Sequence, residues 1–267
     1  MTIDMSTTRT DLALESVQAA CSGAEAGTIS GVRSRERTRE GYAVTDIRVE
    51  DEDGAQALGK PVGRYVTVDL GPYFRREADY FDRGVRCLAG ELAALLPEGP
   101  VLAAGLGNRA MTCDAVGPAS IDNLLVTRHM IRAMPRQFAD FRPVAAVCPG
   151  VLARTGLEAL ELVRGAVERV RPAAVIAVDA LAARDSARLC ATVQLSDTGL
   201  VPGSGVGNRR SALDRGTLGV PVIAVGIPTV VAVNMIDVVR KNGDVIDLKR
   251  LGAAIGWEVV ATSALKG

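Results

Sequence analysis

The sequence predicts an α/β fold: a three-layer α/β/α arrangement around a mostly parallel central sheet. Short, continuously apolar runs recur at 101–105, 144–148, 173–178 and 220–225, the texture of strands buried on both faces of a parallel sheet. Helical spacing fills the stretches 122–134 and 155–171 between them. Strand–helix–strand alternation of this kind layers helices on a parallel sheet, and such sheets gather ligands and catalytic groups at the carboxyl ends of their strands.

Element by element, residues 1–40 are polar and helix-compatible, with Asp11 to Glu15 the most regular patch. Period-two alternation at 42–49 and 64–70, rich in β-branched residues, predicts two strands, with a turn over Glu50 to Gly54 between them. Phe81, Val85, Leu88, Leu92 and Leu95 set a helix within 73–96, ended by Pro97 and Pro100. Thr155 offers an N-cap for the second inter-strand helix, with Glu158 as its box partner. Residues 191–196 add a further strand.

Composition narrows the function. The chain has 267 residues, 48% of them hydrophobic, with 31 Lys+Arg balancing 31 Asp+Glu. A neutral chain lacks the positive excess of a nucleic-acid binder, and four Phe, four Tyr and one Trp give little for base stacking. The five cysteines are odd in number and form no CxxC pair, so reduced thiols in a cytoplasm fit better than a disulfide or zinc framework. The early acidic residues and the lack of an apolar segment argue against a signal peptide, and no apolar run is long enough to span a membrane. One lysine, Lys60, and 25 arginines occupy residues 1–232, whereas residues 233–267 hold two arginines and three lysines. That shift suggests a tail of different origin.

Several motifs offer chemistry. Gly105-Leu106-Gly107-Asn108-Arg109-Ala110 fits a dinucleotide fingerprint, but the strand ending at Cys148-Pro149-Gly150 carries no acid for a ribose, so a glycine-rich turn with another purpose is the better reading. Asp114 either caps a helix or belongs to a site. Asp179 ends an apolar strand, where a charge without a partner is costly; it caps a following alanine-rich helix or belongs to a site. Both aspartates lie beyond carboxyl ends of predicted parallel strands and could face each other. Two close carboxylates do not both ionise easily, so one keeps a proton; such a pair can activate water and protonate a leaving amine, as peptide hydrolysis requires. Asp197-Thr198-Gly199 is the tripeptide of pepsin-type proteases, which are all-β and use two copies; here it occurs once in an α/β chain, leaving Asp197 a supporting position. The loop Pro202 to Arg210, with Gly205, is a site wall or a plain loop and does not match a P-loop. The single histidine, His129, cannot build a multi-histidine metal site.

Residues from about Arg9 to Val231 resemble the germination protease family of spore-forming bacteria. The resemblance is carried by Arg9-Thr10-Asp11-Leu12-Ala13-Leu14-Glu15, Gly105-Leu106-Gly107-Asn108, Asp114-Ala115-Val116-Gly117-Pro118, Asn123 to His129, Ile176 to Arg184, Gln194 to Gly199, Pro202 to Asn208 and Thr217 to Pro221. It implies a fold similar to hydrogenase maturation peptidases and a homotetramer in the cytoplasm of the spore core. The activity implied is an endopeptidase that degrades small acid-soluble spore proteins during germination, with no direct nucleic-acid or membrane partner. It implies a zymogen that cuts itself after Glu15, before Ser16, so that residues 1–15 are a propeptide and residues 16–232 the catalytic domain. The proposed catalytic aspartates fall on Asp114 and Asp179, with Asp197, Gly107, Asn108 and Gly205 as site wall. No additional histidine matches that of metal-binding relatives, so the expectation is an acid pair with no metal and no cofactor.

Residues 233–267 resemble instead the end of the GTPase domain of ferrous iron transport protein B. Asn234-Met235-Ile236-Asp237 matches its guanine-reading NxxD element, and Ser263-Ala264-Leu265 the partner motif. The expectation is a hybrid chain joined near Thr229 to Val233. Without a P-loop lysine, its tail would bind guanine nucleotide weakly at most and pack on or beside the catalytic domain.

Overall fold

A computed structural model describes residues 10–21, 29–203, 210–233, 236–255 and 259–261. The chain opens with helix α1 (Ala13–Cys21) and a hairpin of β1 (Val32–Arg39) and β2 (Tyr42–Val49). Glu40 and Gly41 both have positive φ, 53° and 80°, the geometry that a two-residue hairpin turn needs. Helix α2 (Glu52–Leu58), strand β3 (Gly63–Asp69), and helices α3 (Gly71–Phe74) and α4 (Tyr80–Ala93) follow. Next come β4 (Val101–Leu106), a 3-10 turn at Thr112–Asp114, α5 (Val116–Asp122), α6 (Arg128–Ala133) and β5 (Val144–Gly150). Then α7 (Leu152–Thr155) and α8 (Ala159–Val170) lead to β6 (Ala174–Leu181), β7 (Thr192–Ser196), α9 (Arg215–Leu218) and β8 (Val222–Pro228). The chain continues with β9 (Val231–Val233), α10 (Ile236–Lys241), α11 (Leu248–Ile255) and β10 (Val259–Ala261).

Eight strands form one sheet in the order β1-β2-β3-β7-β8-β6-β4-β5. The four apolar runs lie side by side and parallel, as β8, β6, β4 and β5. The expectation of a mostly parallel sheet is corrected by the other half: β1–β2, β2–β3, β3–β7 and β7–β8 are all antiparallel. The cause lies in the connections. Parallel neighbours need a long crossover, usually a helix, but β6 and β7 are linked only by a segment holding a 3-10 turn at Ser186–Arg188. The chain therefore reverses, and β7 stitches the N-terminal meander to the parallel half. Strands β9 and β10 pair in parallel as a second, two-stranded sheet.

Local chemistry explains further departures. The Asp51 side chain accepts from the Gly54 N–H (2.9 Å) and starts α2 where a turn is expected. The helix expected from Thr155 begins later, because Gly156 at φ 72° ends α7 and Glu158 takes the N-cap, with Glu161 completing the box. No helix follows Asp179; β6 runs on to Leu181. Strand β1, read as part of a polar helical stretch, is a charged edge strand whose residues are mostly exposed.

Even-numbered Leu102, Ala104 and Leu106 of β4 join a core with Leu160, Val163 and Val167 of α8. On the other face of β4, α5 lies in close contact. A Cβ on Gly105 would stand 2.4 Å from the Gly117 carbonyl, and one on Gly117 would stand 2.2 Å from the Leu106 carbonyl and 2.5 Å from that of Val178. These two glycines let α5 settle on β4 and β6, which fixes the 3-10 turn just ahead of it. Gly117→Ala is expected to cost about 1–3 kcal/mol in chemical denaturation, since backbone must shift to admit the methyl group. The control Gly165→Ala, on α8 with nothing within 4 Å of the added carbon, is expected to be neutral or stabilising.

Candidate active site

The site lies where β4, β6 and β8 end. Asp179 sits in β6 opposite Gly226 of β8, on the same face as the core residues Val175 and Ala177 and two residues beyond the latter. It is 7% exposed. Its Oδ1 accepts from the Ala180 N–H at 2.9 Å, and no ion pair with Asp179 is found among the described residues.

Asp114 arrives from β4. After Leu106 the chain turns at Gly107, whose φ of 108° disfavours any residue with a side chain. A Cβ there would also stand 2.2 Å from the Asp114 carbonyl oxygen. The Asn108 N–H donates to Asp114 Oδ2 at 2.8 Å. The Thr229 hydroxyl, just past β8, donates to the Cys113 carbonyl at 2.6 Å, tying the turn to the neighbouring strand. Asp114 does not cap α5, whose N-cap is Ala115. The capping alternatives for both aspartates thus give way to a shared location: Asp114 and Asp179 line one cleft of about 730 Å³, with Gly107 and Asn108 beside them.

Burial pushes the Asp179 carboxyl up to about 8; the negative charge of Asp114 adds to this, while the Ala180 N–H works against it. Burial also raises Asp114, opposed by the Asn108 N–H. At neutral pH the proton therefore rests on Asp179 and the charge on Asp114. Tyr65, another lining residue, is pushed up to about 12 chiefly by burial and stays a neutral phenol.

The N-terminal segment runs along the same cleft. The Asp11 N–H donates to the Ala182 carbonyl (2.9 Å) and the Ala182 N–H to Asp11 Oδ2 (2.8 Å). Gln194 of β7 clamps the segment, donating from Nε2 to the Asp11 carbonyl (3.0 Å) and accepting the Ala13 N–H on Oε1 (2.7 Å). Lys60 Nζ donates to the Thr10 carbonyl (3.0 Å). Leu12 is fully buried against Leu181 and Ala183. The buried Glu15 carboxylate accepts from the N–H groups of Arg184 (2.7 Å) and Asp185 (2.9 Å). Ser16 lines the cleft, yet its N–H is bonded to the Leu12 carbonyl at 3.2 Å inside the first turn of α1.

The remaining expected positions lie elsewhere. Asp197 is exposed and joins β7 to β3, accepting the Arg64 N–H at 2.7 Å. His129 lies in α6. Gly205, Asn208, Asn234 and Ser263 to Leu265 fall outside the described residues. Among the described residues, no three His, Cys, Asp or Glu side chains group as metal ligands, and no helix is long and apolar enough to cross a membrane. Gln194 opens the stretch Gln194 to Gly199, which gives its amide no role, and Lys60 carries no motif. The only signal for Lys60 is its isolation as the one lysine before residue 233.

Because a proton is held more tightly by folded than by unfolded Asp179, the folded state loses stability as pH rises from the ordinary carboxylate range through about 8. Asp179→Asn, which cannot ionise, is expected to raise the melting temperature at pH 8 by several degrees, with the gain shrinking towards pH 4. Thermal melts across that range check this.

The protein-family model described as germination protease matches residues 9–255. The match runs past Val231 and takes in most of residues 233–267, so the comparisons support the protease family there and give no support to the expected GTPase-derived tail. A germination protease from Caldanaerobacter subterraneus subsp. tengcongensis is 47% identical over 227 residues, covering 84% of this chain and 69% of that protein. Those of Bacillus cytotoxicus and Priestia megaterium are 42% and 40% identical, each covering 91% of this chain and 68% of the relative. With its acid pair and N-terminal segment meeting in one cleft, the chain belongs to the germination protease family.

Proposed function

We propose that this chain is a self-processing endopeptidase that degrades small acid-soluble spore proteins during germination, using an acid pair of the aspartic type. The observation that carries the reading is the placement of Asp114, Asp179 and the Glu15–Ser16 bond around one cleft. Ionised Asp114 takes a proton from water as the oxygen attacks the scissile carbonyl. Protonated Asp179 gives its proton to the reacting peptide, which leaves as an amine when the C–N bond breaks. The Asn108 N–H and the Gly107 turn hold Asp114 in place.

In this reading residues 1–15 are a propeptide, residues 16–232 the catalytic unit, and residues 233–267 an end piece packed on or beside it. The chain works as a homotetramer in the spore-core cytoplasm, and its layering resembles that of hydrogenase maturation peptidases. The Glu15–Ser16 bond stands in a helical turn, whereas proteases take extended chains. The zymogen is therefore dormant until the first turn of α1 opens.

Asp114→Asn and Asp179→Asn are each expected to lower kcat on spore-protein peptides by on the order of 10²–10⁴-fold, and both should abolish the species beginning at Ser16 in mass spectra of the incubated full chain. Wild-type rates in both variants would refute the assignment. The kcat/KM profile of the processed enzyme should fall as pH rises through about 8, where Asp179 loses its proton. It should also fall on the acid side as Asp114 gains one.

A further inference from the structure

Departure of residues 1–15 would leave one wall of the cleft lined with polar groups stripped of partners. Lys60 loses the Thr10 carbonyl, and Gln194 loses both the Asp11 carbonyl and the Ala13 N–H. With the segment in place Gln194 is only 7% exposed, and the segment's departure leaves the donor and the acceptor of that amide open to bond another chain. Burial pulls the Lys60 ammonium down from its ordinary range, while the charges of Asp11 and Glu15 work to keep it protonated. The vacated wall therefore specifies its next occupant. It must be a non-helical chain that presents two carbonyls and one N–H in the order and spacing of Thr10, Asp11 and Ala13, with an acidic residue near the ammonium. The cleft continues from there to Asp114 and Asp179.

We propose that Lys60 and Gln194 are specificity-determining residues for the peptide substrate, holding its backbone three to six residues ahead of the cut, where Ala13, Asp11 and Thr10 stand ahead of the Glu15–Ser16 bond. This rests on the endopeptidase reading above. The processing segment and a substrate in trans use the same grip, one in the dormant chain and the other after processing. Lys60 holds the carbonyl six residues upstream, so a substrate cut short on that side forfeits its contribution.

The test uses the self-processed form of the full chain and two acetylated peptides, one with the sequence of residues 10–18 and one with that of residues 12–18. The wild-type enzyme is expected to favour the long peptide by roughly tenfold in KM, as suits a charge-assisted hydrogen bond in a partly buried site, with similar kcat for both. Lys60→Met should reduce that preference to about twofold, and Lys60→Arg should restore it. Gln194→Glu, which keeps the acceptor for the N–H and loses the donor to the carbonyl, should also raise KM for the long peptide. A Lys60→Met enzyme that keeps the full preference, or that loses activity equally on both peptides, overturns the inference and leaves the acid-pair reading intact. A wild-type chain that neither processes itself nor cuts either peptide refutes the endopeptidase reading and this inference with it.

Discussion

A carboxyl group in the middle of the parallel strands governs this molecule. Asp179 occupies a strand position that the pattern of β6 turns toward the core, and its carboxyl oxygen accepts from the next residue's N–H. A carboxylate there would face the cost of desolvation and the charge of Asp114, so the group keeps its proton. Around it the fold is arranged to deliver a second carboxyl group. The glycine contact of Gly105 and Gly117 seats α5, the positive φ of Gly107 turns the chain, and the Asn108 N–H holds Asp114 in place and partly offsets the burial that raises it. Two chemically identical side chains thereby differ in how firmly each holds a proton, from their surroundings alone.

The N-terminal segment completes the site and restrains it. Residues 10–15 bond to Lys60, Ala182, Gln194 and the amides of Arg184 and Asp185, so every polar anchor on that wall is occupied. The same contacts that bring the Glu15–Ser16 bond to the cleft also hold Ser16 in helical hydrogen bonding. Recognition and reaction are separated by one helical turn. In the proposed reading of Glu15–Ser16 as the processing site, that separation is a physical account of how a protease can carry its own cleavage sequence without cutting it.

Much of this was legible in the sequence, for reasons that differ by element. The four parallel strands show as unbroken apolar runs, although the edge strand β5 is only half-buried, and β2 and β3 show as alternation, because burial leaves those marks directly. Asp114 and Asp179 stand out because acids at the ends of such runs need an explanation. Strand β1 was hidden because this edge strand is charged at five of its eight residues and carries no apolar period. The direction of β7 was hidden because its apolar run reads the same whichever way it pairs; only the short link after β6 reverses it. Asp197 looked like site wall from its motif, but its side chain is spent on the Arg64 amide. Gln194 opens a stretch that carries the resemblance, but what its amide holds shows only when a second segment, 181 residues away in sequence, is laid against it.

The most direct test of the shared proton is a carboxyl titration by NMR on the full chain with 13C-labelled aspartate, assigned through Asp114→Asn and Asp179→Asn. The account predicts that the Asp179 carboxyl keeps its proton to about pH 8 and titrates at lower pH once Asp114 is replaced by asparagine. An Asp179 that titrates near pH 4 in the wild-type chain, unmoved by that replacement, would contradict it.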